Sequence, residues 1–151
     1  MPTTTRPVSI ALTIGLLTSA VAAAVPLLDL AFTGGILAHV RSTYPGWEAP
    51  VAITEAQIIA GWLAITQALG VLAWLLALAR YRRGRTGQVA AVLFFTLGGL
   101  AALLNLTVGF GDYDRIVPTG LGALTLLPVL VGAVALVLLR RHRQRDVGAL
   151  A

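Results

Sequence analysis

Four long apolar runs constrain this chain more than any other feature of its sequence. A helix needs about 20 apolar residues, at 1.5 Å each, to cross the roughly 30 Å hydrocarbon core of a bilayer. The runs meet that length and predict helices at about 8–32, 54–81, 88–110 and 119–141. We therefore predict an all-α integral membrane protein, a single transmembrane domain folded as an up-down bundle of four transmembrane helices.

The composition supports a membrane protein and narrows its chemistry. Of the 151 residues, 58% are hydrophobic and only 11% are charged, against about 25% charged in soluble domains. The absence of cysteine excludes disulfides, thiolate metal sites and cysteine nucleophiles. The two histidines, His39 and His142, lie outside the middle of the apolar runs. We expect no cofactor, no metal site and no catalytic residue, and hence a protein that is not an enzyme.

The first apolar run allows two interpretations. A short leader with one arginine, followed by an apolar core and the small residues Ser19 to Ala24, is typical of a secretory signal that is cleaved after residue 24. The apolar run continues past this point through Val25, Pro26, Leu27 and Leu28, which favours a retained helix. Cleavage would leave three spans in the same orientation.

The connection at 33–53 is the longer of two loops predicted on the outer side. Gly34-Gly35 is expected to break the first helix, and 36–44 to form a short amphipathic turn at the membrane interface. Tyr44-Pro-Gly-Trp47 predicts a tight turn whose aromatic rings lie at the interface. Thr54-Glu-Ala-Gln57 fits a capping box, which predicts that the second helix begins at Thr54.

The second half of the chain repeats the hairpin pattern. A cytoplasmic hinge at 82–87 joins the second and third helices, and an outer loop at 111–118 joins the third and fourth. Thr119 is expected to cap the fourth helix, and Pro128 to kink it. The remaining residues, 142–151, are expected to form a frayed cytoplasmic tail.

The arginines set the predicted orientation. All eleven basic residues are arginine, and most of them flank the predicted helices on one side. The positive-inside rule places that side, with both termini, in the cytoplasm. The candidate residues for topology and for binding anionic lipid headgroups are Arg80, Arg82, Arg83, Arg85, Arg140, Arg141, Arg143 and Arg145.

The same composition bears on the location and the partners of the protein. Its wealth of arginine, alanine and glycine suggests a bacterial genome and hence the cell (inner) membrane. Because the arginines lie beside apolar spans, we expect them to contact anionic lipid headgroups, not nucleic acid. We expect the chain to form a homo-oligomer or to join a larger membrane complex.

Polar residues within or beside the spans are the candidate functional positions: Asp29, Glu55, Asn105, Asp112 and Asp114. Carboxylates in spans are costly and often mark proton or cation paths. Asp29 follows Pro26 by three residues, and a broken helix beside an acid is typical of transporters. Glu55 lies in the first turn of the predicted second helix, where the helix dipole favours a negative charge. The acids of the loop, Asp112 and Asp114, are candidates either for cation ligands or for solvated surface groups.

Small residues form stripes on the predicted helices. They include Gly15, Ser19, Ala22 and Pro26 on the first helix, Thr66 and Ala73 on the second, Gly98 and Ala101 on the third, and Thr125, Pro128 and Gly132 on the fourth. Helices associate in lipid through such stripes and through a few hydrogen bonds, and we expect Asn105 to make one between helices. The sequence thus favours a non-enzymatic structural or accessory subunit of a membrane complex. The alternative is a compact proton- or cation-coupled transporter that acts as a dimer, with the outer carboxylates as its coupling site.

Overall fold

A computed structural model describes residues 6–83 and 88–148, with side chains described over 7–83 and 92–141. The protein is 85% helix. Within the described ranges no β-strand forms, and an isolated bridge pairs Phe110 with Tyr113. The all-α class predicted from the apolar runs is confirmed.

Six α-helices and one π-helical segment make up the described chain. They are α1 (Arg6–Leu28), the π segment (Asp29–Thr33), α2 (Gly35–Thr43), α3 (Ala49–Arg82), α4 (Gln88–Thr107), α5 (Thr119–Leu124) and α6 (Leu126–Gly148). Three stretches are long and apolar enough to cross a membrane: Pro7–Thr33, Ala49–Arg82 and Thr119–Arg141. A shorter apolar helix covers Val92–Thr107.

Helix α1 is the centre of the packing. It lies against both α3 and α6, whereas α4 packs mainly on α6 and touches α3 much less. The small-residue stripe predicted on the first helix forms the buried face of α1, because Gly15, Ser19, Ala22 and Pro26 are all buried. Close helix approach explains this pattern, since a Cβ added at Gly15 would lie 2.4 Å from the Trp74 ring.

Two clusters of buried apolar side chains hold the helices together. The first joins α2 to the beginning of α3 and to the loop before α5, with Ile36, Val40, Leu63 and Val117 in its centre. The second joins the beginning of α1 to the end of α3 and to α6 through Val8, Leu12, Leu78 and Ala135. The two clusters lie at opposite ends of α3.

The beginning of α3 corrects the prediction of a capping box. The helix begins at Ala49, preceded by Glu48 and with Pro50 in its first turn, where the missing N–H of proline has no helical partner to lose. Thr54 lies inside the helix, and its hydroxyl donates to the Pro50 carbonyl (2.9 Å). The predicted loop 33–53 is consequently broken up by α2, and only Gly34 and 44–48 are irregular.

The turn within this connection agrees with the sequence. The Trp47 N–H donates to the Tyr44 carbonyl (3.1 Å), as a tight turn over these four residues requires. The short amphipathic turn predicted at 36–44 is present as the helix α2, Gly35–Thr43.

The fourth predicted helix is two helices that meet at Thr125. Proline has no N–H to donate to the carbonyl four residues earlier, and the break lies one turn before Pro128. The residue before α5 is Pro118, so Thr119 is not its cap. The apolar stretch Thr119–Arg141 has the predicted bounds, but the helix continues beyond it to Gly148, where a frayed tail was predicted. The third helix ends at Thr107 rather than at 110.

Candidate functional site

The charged side chains divide between two ends of the molecule. We call one the acidic end; it holds Asp29, Glu48, Glu55, Asp112 and Asp114, together with Arg41 and Arg115. We call the other the arginine end; it holds Arg80, Arg82, Arg83, Arg140 and Arg141, all exposed. Arg143, Arg145 and one acid, Asp146, lie further along α6, beyond the described side chains, and Arg85 lies outside the described residues.

Asp29 at the acidic end is engaged in holding α2. Its carboxylate accepts hydrogen bonds from the Gly35 N–H (3.0 Å), from the Ile36 N–H (2.7 Å) and from the Thr33 hydroxyl. The first N–H groups of a helix lack helical partners, so the carboxylate caps α2 from the preceding π segment. Gly34, with φ +67°, makes the sharp turn that brings the two together.

Glu55 lies in the second turn of α3, and its side chain is half-buried. The dipole argument made for it from the sequence is therefore weaker, since that effect fades beyond the first turn. Glu55 lies close enough to Tyr113 to affect its ionisation. Burial, with the negative charge of Glu55 as the second cause, raises the pKa of Tyr113 to about 12. The Tyr113 hydroxyl is buried and has no hydrogen-bond partner among the described residues.

An aromatic cluster of His39, Tyr44, Trp47 and Tyr113 joins α2 to the loop before α5. Tyr44 stacks on Trp47 (ring centroids 4.0 Å apart) and meets Tyr113 edge-on (5.0 Å), while His39 stacks on Tyr113 (5.5 Å). Hydrogen bonds reinforce the stacking: the Asp112 N–H donates to the Tyr44 hydroxyl (3.1 Å), and His39 Nε2 donates to the Arg115 carbonyl (2.9 Å). The cluster fixes the loop that carries Asp112 and Asp114.

The groups at the acidic end do not assemble into a catalytic or metal-binding arrangement. The Ser42 hydroxyl donates to the backbone carbonyl of His39 (2.7 Å), so it is not paired with the imidazole ring. Asp112 and Asp114 are exposed. Within the part of the chain that the structure describes, no three His, Asp or Glu side chains lie together as metal ligands would.

Asn105 makes the interhelical bond predicted for it. Its Oδ1 accepts from Trp62 Nε1 (2.9 Å), which joins α3 to α4, and its side chain is only 4% exposed. The Nδ2 group of Asn105 is buried without a partner among the described residues. This bond lies between the acidic end and the part of α3 that begins at Thr66.

Beyond the Trp62–Asn105 bond, α3 and α4 separate around a cavity of about 290 Å³. Its lining comes from α1, α3, α4 and α6 and is mainly apolar, with Trp74 and Phe95 among the larger side chains. Leu76 and Phe94 line it and are exposed, so it opens at the surface between α3 and α4. Of all the features described, this cavity is the one best shaped to hold a ligand.

The two ends of the cavity differ in polarity. Arg80 and Tyr81 lie at one end, and Ser19, Thr66 and Gln67 line the other. Ser19 is 1% exposed, and its hydroxyl has no hydrogen-bond partner among the described residues. From Thr66 to Arg80 the lining of α3 extends over about 21 Å, at 1.5 Å per residue.

Comparison with protein-family models, with curated proteins and with solved structures finds no match to this chain.

Two features of the site were missed by the sequence reasoning. The aromatic cluster joins residues about seventy positions apart, and the tyrosine of the loop, Tyr113, carried no signal of its own. The cavity was missed because Thr66 and Ala73 on α3 and Gly98 and Ala101 on α4 were assigned to helix packing. The signal was partly present, since these small residues share faces, but small residues line a gap as readily as they line a contact.

Proposed function

We propose that this chain is a small polytopic protein of the bacterial inner membrane that serves as a non-enzymatic structural or accessory subunit of a membrane complex. In this proposal four helices cross the membrane as an up-down bundle, α4 as the third span, and both termini and the hinge are cytoplasmic. The arginine end is then the cytoplasmic end, where its side chains contact anionic headgroups.

The observation that carries this proposal is the engagement of Asp29. A carboxylate that accepts hydrogen bonds from Thr33, Gly35 and Ile36 is stabilised in its charged form and serves the architecture of the acidic end. Asn105 is likewise bound to Trp62. The polar groups of the spans thus serve assembly, as helix association in lipid requires.

The outward face of α4 supports an interface with a partner. Leu93, Leu97, Leu100 and Leu104 are all exposed and recur with alternating spacings of four and three residues. This spacing is the one that places a row of leucines against a second helix. A partner subunit or a second copy of the chain would bury this row.

A compact proton- or cation-coupled transporter, acting as a dimer, is the second candidate function. Glu55 favours it, because its half-buried carboxylate has no hydrogen-bond partner among the described residues. The cavity between α3 and α4 favours it as well. In this alternative Glu55 would be the coupling group and Asp29 would support the fold.

Capture of the tagged full chain from native membranes in mild detergent separates the two functions. A partner present in stoichiometric amount, retained by the native chain and lost when Leu97→Glu interrupts the leucine row, is the expected result. Leu69→Glu, on an exposed position of α3, is the matched control. A lone homodimer that carries out pH-dependent solute flux in vesicles would overturn the accessory function in favour of the transporter.

The proposed orientation is tested separately with single cysteines, because the chain has none of its own. A cysteine at Ser42 is expected to react with an impermeant thiol reagent added to sealed cells, whereas a cysteine at Thr86 is expected to stay unlabelled until the cells are opened. Labelling at Thr86 in sealed cells would reverse the orientation.

A further inference from the structure

The cavity between α3 and α4 has the length of one membrane leaflet. Half of a hydrocarbon core of roughly 30 Å, with one headgroup layer, is about 21 Å thick, and the cavity lining on α3 covers a similar distance. The cavity runs along the helices, from the arginine end to the level of Ser19 and Gln67. A ligand that follows it would lie parallel to the lipids of one leaflet.

Arginine side chains give the mouth of the cavity a positive charge. Arg80 lines the cavity, and Arg82 and Arg83 follow it at the end of α3. No carboxylate forms an ion pair with these arginines among the described side chains. The one carboxylate on α3, that of Glu55, lies about 37 Å from Arg80 along the helix axis. An anionic group at this mouth would meet arginine donors, which suit phosphate oxygens well.

The lining behind Arg80 is suited to a hydrocarbon chain. Trp74, Phe94, Phe95 and Leu139 contribute apolar surface, and the side opening between α3 and α4 faces the region that lipid occupies. The cavity is a slot lined from four helices, α1, α3, α4 and α6, and such a slot suits a narrow chain better than a helix about 10 Å across. A single acyl chain is narrow enough.

We propose that this cavity is a binding site for one anionic phospholipid of the leaflet at the arginine end. The phosphate binds Arg80 at the mouth, one acyl chain lies in the cavity against Trp74 and Phe95, and the second chain remains in the bilayer. This site goes beyond the proposed accessory function and holds for either candidate function, since both leave the cavity between α3 and α4 in place.

Native mass spectrometry of the purified, delipidated full chain tests the site. Phosphatidylglycerol and phosphatidylcholine with the same acyl chains are added in separate experiments, and inorganic phosphate is added as a competitor. We expect one phosphatidylglycerol per chain, bound about fivefold more tightly than phosphatidylcholine, as one arginine at an anionic headgroup implies. Inorganic phosphate is expected not to displace it, because free phosphate lacks the chain. Displacement by phosphate would overturn the lipid as the occupant.

Two pairs of variants locate the headgroup and the chain. Arg80→Gln is expected to remove the preference for phosphatidylglycerol, whereas Arg41→Gln, at an exposed arginine of the acidic end that does not line the cavity, is expected to keep it. Gly98→Leu fills the cavity at a position where a Cβ meets no atom within 4 Å. It is expected to weaken binding of both lipids by tenfold or more, since several buried methylenes are displaced. Gly61→Leu, equally open but outside the cavity, is the matched control.

If Gly98→Leu fails to fold, fluorescence quenching tests the site without any change to the arginines or glycines. Phosphatidylglycerol brominated on its chain is expected to quench a fluorescence component that Trp74→Phe removes, and to do so more strongly than brominated phosphatidylcholine. Equal quenching by the two lipids, unchanged selectivity in Arg80→Gln, or full binding by a folded Gly98→Leu would each overturn the proposal.

Discussion

The acidic end and the arginine end of this protein are built in opposite ways. At the acidic end, a carboxylate cap, an aromatic cluster and a buried apolar cluster fix α2 and the loop before α5 against α3. Towards the arginine end, α3 and α4 separate around a cavity, and the arginines make no ion pair among the described residues. Hydrogen bonds, ring contacts and apolar packing thus hold one end together, whereas the helices towards the other end enclose a cavity.

The Trp62–Asn105 hydrogen bond marks the boundary between the two regions. It joins α3 and α4 on the side of the acidic end, and the cavity begins one turn further along α3, at Thr66. The same pair of helices is joined by a hydrogen bond at one level and separated by a cavity at the next.

The largest effect that tests this comparison is the loss of apolar packing at the acidic end. Ile36→Ala removes a side chain with 0% exposure from α2 and is expected to lower the free energy of unfolding by about 2–5 kcal/mol. Ile58→Ala, at a position that is 61% exposed, is expected to cost less than about 0.5 kcal/mol. Unfolding in mixed micelles with increasing denaturant measures both. Equal losses would mean that the acidic end is not tightly packed.

The next effect concerns the cap of α2. Asp29→Ala leaves the first N–H groups of α2 without acceptors and is expected to cost about 1–2 kcal/mol, whereas Asp29→Asn keeps an acceptor and is expected to be nearly normal. Asp114→Ala, an exposed acid of the same end, is the control. Circular dichroism and unfolding measure the fold, and solute flux in vesicles measures any transport. If Asp29→Asn and Asp29→Ala fold alike and both lose the activity of the native chain, the charge of Asp29 has a coupling role and the cap is secondary.

A smaller effect is expected at the boundary between the regions. A double-mutant cycle of Trp62→Phe and Asn105→Leu is expected to give a coupling energy of about 0.6 kcal/mol, and no more than about 2 kcal/mol. Both single variants and the double variant are unfolded under the same conditions. A coupling energy of zero would show that α3 and α4 are held by packing alone at this level.

The smallest effect is a shift in the ionisation of Tyr113. Burial is the main reason that the pKa of Tyr113 is raised to about 12, so Glu55→Gln, which removes the second cause, is expected to lower that pKa only slightly. Ultraviolet absorbance of the phenolate measures it, with Tyr113→Phe identifying the signal. An unchanged pKa in Glu55→Gln would place Glu55 too far away to act.

The same pKa predicts a dependence of stability on pH. An unfolded tyrosine ionises near pH 10, but Tyr113 in the folded chain ionises only near pH 12. The unfolded state loses its proton first, so the contribution of Tyr113 to stability is complete below about pH 10 and is lost as the pH rises towards 12. The unfolding free energy of Tyr113→Phe is expected to fall less over this range.

The all-helical class was predictable because long apolar runs are compatible with few kinds of backbone structure. Runs of apolar residues have to form helices to satisfy their backbone groups in lipid, and the small-residue stripes of the first and fourth predicted helices are buried in the structure. The helix ends were less predictable. The capping-box pattern predicted that α3 begins at Thr54, whereas the helix begins at Ala49, with Pro50 in its first turn.

The sequence by itself determined the all-helical class, the concentration of most arginines in two segments and the residues that could pack or bind. Only the tertiary structure decided what those residues do: Asp29 caps α2, Asn105 joins two helices, and the small residues of α3 and α4 line a cavity. The physical reason is that the spacing of apolar residues and the composition determine the faces of one helix at a time. A hydrogen bond or a cavity between helices depends on how far apart their axes lie, and that distance is set by all the packed side chains together.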